Sequence, residues 1–297
     1  MPLIAAILGA VVLLWAAVTA QTAWRLTHPP RGWRPHDWQP SDLPLEATTI
    51  LADDGVRLRV WVAPQRDARA TAICVHGWGT NHTEMEWRAG RLHRAGYSVV
   101  LFDFRACGES GGRMCSAGVH EMRDLRAVVD LAANDASLNG APIVILANSM
   151  GAAVAITVAA SETRIRGIFS DAAYASLESA TAWGFRSFTG VPPWPFKRSV
   201  TWLVERMTGA RMHDLAVIES IASLSPRPVL LAHGADDPLV SPHDAEALYA
   251  RAGEPKEIWR VPDAGHVVAE FVDPEVYDAR VTGLFTRALE ESAAPGP

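Results

Sequence analysis

Cysteine is scarce: Cys74, Cys107 and Cys115 are the only three in 297 residues. So odd and sparse a set excludes a disulfide scaffold. Cys74 lies within an apolar strand run and reads as an inert core thiol, whereas Cys107 and Cys115 flank a glycine-rich loop and are candidates to pair in an oxidising compartment. Basic residues never run five together and the net charge is −6, so no nucleic-acid partner is expected. No internal repeat is visible, and the only compositionally odd segment is the terminal "ESAAPGP", whose end, 293–297, reads as a disordered tail. The ten histidines show no metal-ligand spacing, and neither a metal nor an organic cofactor is expected.

Charge is missing altogether from Leu3 to Ala20, "LIAAILGAVVLLWAAVTA". As a helix this run spans about 27 Å, near the thickness of a bilayer's hydrocarbon core. Residues 1–24 are therefore expected to form a single-pass membrane anchor. The "VTA" before Gln21 keeps a cleaved signal peptide, and with it a secreted or periplasmic product, as an alternative, although no Lys or Arg precedes the run. A buried core helix is the third reading. Arg25, Arg31 and Arg34 follow the run, which favours a cytoplasmic-facing domain. Proline-rich residues 25–45 read as an extended tether.

What is present begins at Glu46. Two runs, "EATTILAD" and "RLRVWVAP", are separated by "DG" and predict an antiparallel hairpin. Short apolar runs then alternate with amphipathic helical stretches: "ATAICVH", "YSVVLFDF", "PIVILANS", "RGIFSD", "PVLLAHG" and "KEIWRV" are the strands. The pattern predicts an α/β domain over 46–292, with a mostly parallel sheet covered by helices on both faces and function at the strands' carboxyl ends. An insertion over about 176–225 interrupts the alternation and reads as a small helical lid. Its Trp183, Phe185 and Phe188 are candidates to line a substrate pocket; the alternative is that the insertion's aromatics, Trp194, Phe196 and Trp202 included, make its own small core.

Two serines compete for a nucleophile's place. The literal pattern G-x-S-x-G occurs at Gly108–Gly112 around Ser110. Ser149, in Ala147-Asn148-Ser149-Met150-Gly151, lacks the first glycine. Context decides between them. Ser149 follows an apolar strand run and precedes the small-residue helix "MGAAVAITVAA", the strand–turn–helix setting of a nucleophile elbow. Ser110 is followed by "GGRMCSAG", which cannot begin a helix directly and reads as a flexible loop. The amide of Met150, just after the nucleophile, is then one donor for an oxyanion.

Residues 46–290 resemble the α/β-hydrolase family, specifically its bacterial membrane-tethered serine hydrolases of undefined substrate. The resemblance is carried by "HGWG" (His76–Gly79), "DFRACGES" (Asp103–Ser110), "NSMG" (Asn148–Gly151), "HGADDPLV" (His233–Val240) and "DAGH" (Asp263–His266). Ala147 and the pair Ala106-Cys107 depart from it. The resemblance implies a triad of Ser149, Asp237 and His266, with Asp236 and Asp171 as alternative acids. It also implies a second oxyanion donor at the N–H of Trp78, while His76, Gly77 and Gly151 support the site. His82, His93, His120 and His243 are expected on solvated helix faces. The expected activity is hydrolysis of carboxylic esters, hydrophobic acyl esters among them, through an acyl-enzyme. The same triad would serve a thioesterase, peptidase or acyltransferase, and a non-catalytic binding protein on this fold is the reading of another class. The expected partners are a small ester or acyl substrate and, through the N-terminal helix, a lipid membrane; the oligomeric state stays open.

Overall fold

The computed structural model describes residues 1–36, 38 and 41–293. Among the described residues, eight strands form one sheet: β1 (Glu46–Leu51), β2 (Arg57–Ala63), β3 (Thr71–Val75), β4 (Ser98–Phe102), β5 (Ile143–Asn148), β6 (Ile165–Asp171), β7 (Val229–Gly234) and β8 (Lys256–Val261). Their spatial order is β1-β2-β4-β3-β5-β6-β7-β8. The hairpin β1–β2 and the pair β2–β4 are antiparallel, and every pairing from β4 to β8 is parallel. The helices are α1 (Pro2–Thr27), α2 (Glu86–Arg94), α3 (Glu121–Asn134), α4 (Ser149–Ala159), α5 (Leu177–Thr189), α6 (Pro193–Thr208), α7 (Val217–Ser220), α8 (Pro242–Arg251), α9 (Ala269–Val272) and α10 (Pro274–Ala293).

Both faces of the sheet are buried, and the strand period of two divides each strand between them. On β3, Ile73 and Val75 join a core with α3, α4 and α8, while Ala72 and Cys74 face a second core with α2 and α10. That explains why the parallel strands read as unbroken apolar runs rather than alternating ones. All three cysteines are buried and free.

Going from β3 to β4 the chain moves one way along the sheet, and from β4 to β5 it returns past β3. The carboxyl ends of β3 and β5 therefore flank a switch point, the crevice where open α/β sheets place ligands.

Helix α1 is, among the described residues, the one long and apolar enough to cross a membrane. It runs past the expected end at Trp24 to Thr27, and its surroundings change along its length. Residues up to Ala17 are exposed, but Thr19, Thr22, Ala23 and Thr27 are buried. Ala23 packs with Phe185 of α5 and with Val200 and Val204 of α6 in a third, small core. The segment that follows is also fastened: Arg31 donates to the carbonyls of Ser110 and Gly112, and Asn81 donates to those of Arg31 and Trp33. The last tail residues, 294–297, lie outside the described residues.

Candidate functional site

Ser149 stands at the junction of β5 and α4 with φ +51°, a left-handed conformation that costs an L-residue roughly 1–2 kcal/mol. The turn closes only because of what surrounds it. A Cβ on Gly151 would lie 2.4 Å from the carbonyl oxygen of His76 and 2.9 Å from that of Val75, so this position admits glycine alone. Ala147, fully buried at the end of β5, fits with its methyl group in place. Helix α4 is made mostly of small buried residues and lies close against the sheet.

The other groups arrive from neighbouring strand ends. Asp237 follows β7 and His266 follows β8. The Ser149 hydroxyl lies 2.9 Å from Nε2 of His266, and Nδ1 of that ring lies 2.7 Å from Oδ2 of Asp237. An ionised carboxylate only accepts, so Nδ1 carries the proton and Nε2 is left as the acceptor for the serine. The other carboxylate oxygen, Oδ1, accepts from the amides of Leu239 at 2.8 Å and Val240 at 2.9 Å. Burial alone would raise the Asp237 pKa; the contacts with His233 and His266 outweigh it and hold the carboxyl well below the usual carboxylate range. Asp237 is thereby fixed in orientation and ionised.

The loop after β3 faces Ser149 from the opposite side. A Cβ on Gly77 would meet that of Ser149 at 3.3 Å. His76 is buried with both ring nitrogens committed: Nδ1–H donates to the Gly77 carbonyl at 2.8 Å, and Nε2 accepts from the Phe104 amide at 3.0 Å. Trp78 sends its indole N–H to the Leu26 carbonyl at the end of α1 and stands edge-on to Phe188. Met150 lies in the first turn of α4, where amides have no intrahelical acceptor and the helix dipole is positive.

A cavity of about 620 Å³ opens over Ser149 and Met150. Phe185, Phe188, Tyr174, Leu215 and Leu26 are among its walls. Trp183 is not: half exposed, it turns outward and donates its indole N–H to the Asp237 carbonyl at 3.2 Å, so its expected place in the pocket is corrected to a contact behind the acid. Phe185 belongs at once to the cavity wall and to the small core with α1.

Two further expectations are corrected. Ser110 is not in a loose loop; it is buried, its hydroxyl donates to the Asp103 carbonyl and accepts from the Arg59 amide, and it ties the end of β4 to β2. His82 is not on a solvated face: it stacks on Trp61 and bonds Oδ1 of Asp103 at 2.8 Å.

Sequence reasoning missed Glu84 and His233. Glu84 accepts from the Gly77 amide at 3.0 Å, from Thr80 at 2.6 Å and from the Asn148 side chain at 3.3 Å, tying the β3 loop to the residue before Ser149. His233 approaches Oδ2 of Asp237 at 3.3 Å. No periodicity marks either residue; the position of His233 within "HGADDPLV" is the single available signal.

A doubly wound sheet that presents a serine hydroxyl at a strained strand-to-helix turn, in line with a histidine and a buried aspartate, defines the α/β-hydrolase class of enzymes. The chain belongs to the alpha/beta hydrolase family, whose family model matches residues 72–279. Among relatives, it is 30% identical over 266 residues to the uncharacterized protein YfhR of Salmonella typhi, covering 84% of this chain and 82% of that protein. It is likewise 30% identical over 252 residues to the uncharacterized protein Rv2307c of Mycobacterium tuberculosis, covering 83% and 80%. Among solved structures it is similar to the Pyrococcus furiosus esterase Pf2001, with a TM-score of 0.71, 28% identity and coverage of 89% of this chain and 98% of that one.

Proposed function

We propose that this protein is a serine hydrolase that cleaves carboxylic esters with hydrophobic acyl chains through an acyl-enzyme. The observation that carries the reading is the unbroken line from the Ser149 hydroxyl to His266 at 2.9 Å and on to Asp237 at 2.7 Å. A serine hydroxyl is a weak nucleophile at neutral pH and needs such a base. Ser149 attacks the ester carbon while Nε2 of His266 takes its proton; the charge of Asp237 stabilises the imidazolium and keeps its tautomer. The amides of Trp78 and Met150 meet the negative oxygen of the tetrahedral intermediate, and losing one such donor costs on the order of 10²–10³ in rate. His266 then protonates the leaving alcohol. Water, deprotonated by the same nitrogen, releases the acid and restores Ser149.

The acyl chain occupies the cavity beneath α5 and α6, which act as a lid; Phe185 and Phe188 on its wall favour a medium or long chain. The esterase Pf2001, similar over nearly its whole length, supports ester over other acyl chemistry. Helix α1 anchors the enzyme in a membrane, with the catalytic domain on the cytoplasmic side that the three following arginines favour. The test is a series of p-nitrophenyl esters from acetate to palmitate, with Ser149→Ala as the blank. The expected result is a kcat/KM that rises with chain length beyond butyrate; a preference for acetate contradicts the hydrophobic-acyl reading.

A further inference from the structure

One stripe of α6 is unpartnered and mixed in character. Arg198, Trp202 and Arg206 follow one another at helical spacing and are exposed, and Trp194 and Pro195 stand exposed at the helix start. Trp194 is 84% and Trp202 64% exposed, unusual values for the residue type that carries most apolar area. The pair of helices α5 and α6 holds Arg186, Lys197, Arg198 and Arg206 against Glu178 and Glu205, a net charge of 4 − 2 = +2 in a chain whose total is −6.

This stripe is continuous with the exposed apolar part of α1. Thr19, where that part ends, meets Ser199 of α6 through their hydroxyls at 3.0 Å. Beyond it there is no slack: the Leu26 and Thr27 carbonyls accept from Trp78 and from the Cys115 amide, and Arg31 is held by Ser110 and Gly112. From Thr19 onward α1 belongs to the catalytic body. A bilayer around Leu3 to Ala20 would therefore have its headgroup layer at the level of Ser199, within two turns of Trp194 and Trp202.

We infer that this face of α6 seats in the interfacial layer of the anionic phospholipid bilayer that α1 crosses, and that the cavity draws its acyl ester from that bilayer. The inference rests on the reading of α1 as a membrane-spanning helix. Indoles partition to the headgroup level, and arginines at a cytoplasmic leaflet gain from anionic lipid. An amphipathic helix with basic and aromatic residues lies in that plane. Arg198 and Trp202 also contribute to the cavity wall, so the stripe that faces lipid itself borders the mouth of the acyl site.

The test uses the full chain in vesicles of phosphatidylcholine with phosphatidylglycerol. The native cysteines are buried, so an environment-sensitive thiol dye reports on an introduced one. On Trp194→Cys the dye is expected to shift to the blue and to lose about half its emission to lipids spin-labelled near the headgroup. On Ser137→Cys, exposed on the loop after α3, it is expected to remain open to aqueous iodide. Flotation with the vesicles at high salt reads α1 separately. A chain that floats while the Trp194→Cys dye stays in water overturns the seating and leaves the anchor standing; a chain that does not float overturns both. A dye shielded equally in detergent, with a doubled particle mass, assigns the face to a second copy and overturns the proposal. As a second readout, Trp194→Asp combined with Arg206→Glu, neither of them in the cavity wall, lowers hydrolysis of a vesicle-borne long-chain ester about tenfold and leaves a soluble acetate ester unchanged. Equal rates on the vesicle-borne ester overturn it.

Discussion

Ser149 shows how much of a site is readable from single residues. Its place at a strand-to-helix turn is legible in the apolar run before it and the small residues after it, and the strained φ is the backbone counterpart of that pattern. Ser110 matches the literal motif yet clamps β2 to the end of β4, because the motif encodes no geometry beyond five residues. Glu84 and Asp171 were less legible, since tertiary neighbours alone give them their character. Asp171, in register with Asn148 at the end of β6, is fully buried with no hydrogen-bond partner for either oxygen. Burial, and then the neighbouring Glu270, push its pKa from 3.8 up to about 7. The sign follows from linkage: between these values the native carboxyl keeps a proton that the unfolded chain has released. Its contribution to stability is thus fully present below pH 3.8 and is lost as the pH rises to about 7. Asp171→Asn removes the titration, so the difference in Tm between pH 5 and pH 8 is expected to be several degrees smaller than in the wild type. Thermal melts at the two pH values check this, and parallel pH profiles of the two proteins contradict it.

At the scale of elements, the sheet and its covering helices were legible because periods of two and 3.6 announce them. The insertion was legible as an interruption, but the orientation of its helices was not. Trp183 and Phe185 are two residues apart on α5 and so point to different sides; which side faces Ser149 depends on packing against the β7 loop and α1. Composition makes α1 an isolated span followed by a tether, since nothing in it distinguishes exposed turns from docked ones. Its last two turns bury Ala23, and the carbonyls of Leu26 and Thr27 receive donors from the β3 loop and Cys115. Losing these contacts is worth roughly 2–4 kcal/mol. A chain starting at Arg34 is therefore expected to melt several degrees below one starting at Thr19, and to lose hydrolysis of long-chain esters through the opened cavity wall. Differential scanning calorimetry and the ester series decide; identical melting and rates mean that α1 only tethers.

Across the whole molecule, the strand order brings the ends of β3, β5, β7 and β8 to one edge of the sheet, so residues far apart in sequence meet there. Gly234 permits the final approach, since a Cβ there would lie 2.1 Å from the Gly265 carbonyl oxygen and push the loops bearing Asp237 and His266 apart. The chain order Ser149, Asp237, His266 is what the sequence's resemblance to the family implies, and a sheet of parallel strands places such successive loops side by side. The most direct test of the assembled site is peptide mapping by mass spectrometry after treatment with a fluorophosphonate. The account predicts one adduct on Ser149, unchanged in Ser110→Ala and abolished in Ser149→Ala, with labelling slowed on the order of 10³-fold or more in His266→Ala. An adduct on Ser110, or equal labelling of the wild type and Ser149→Ala, contradicts it.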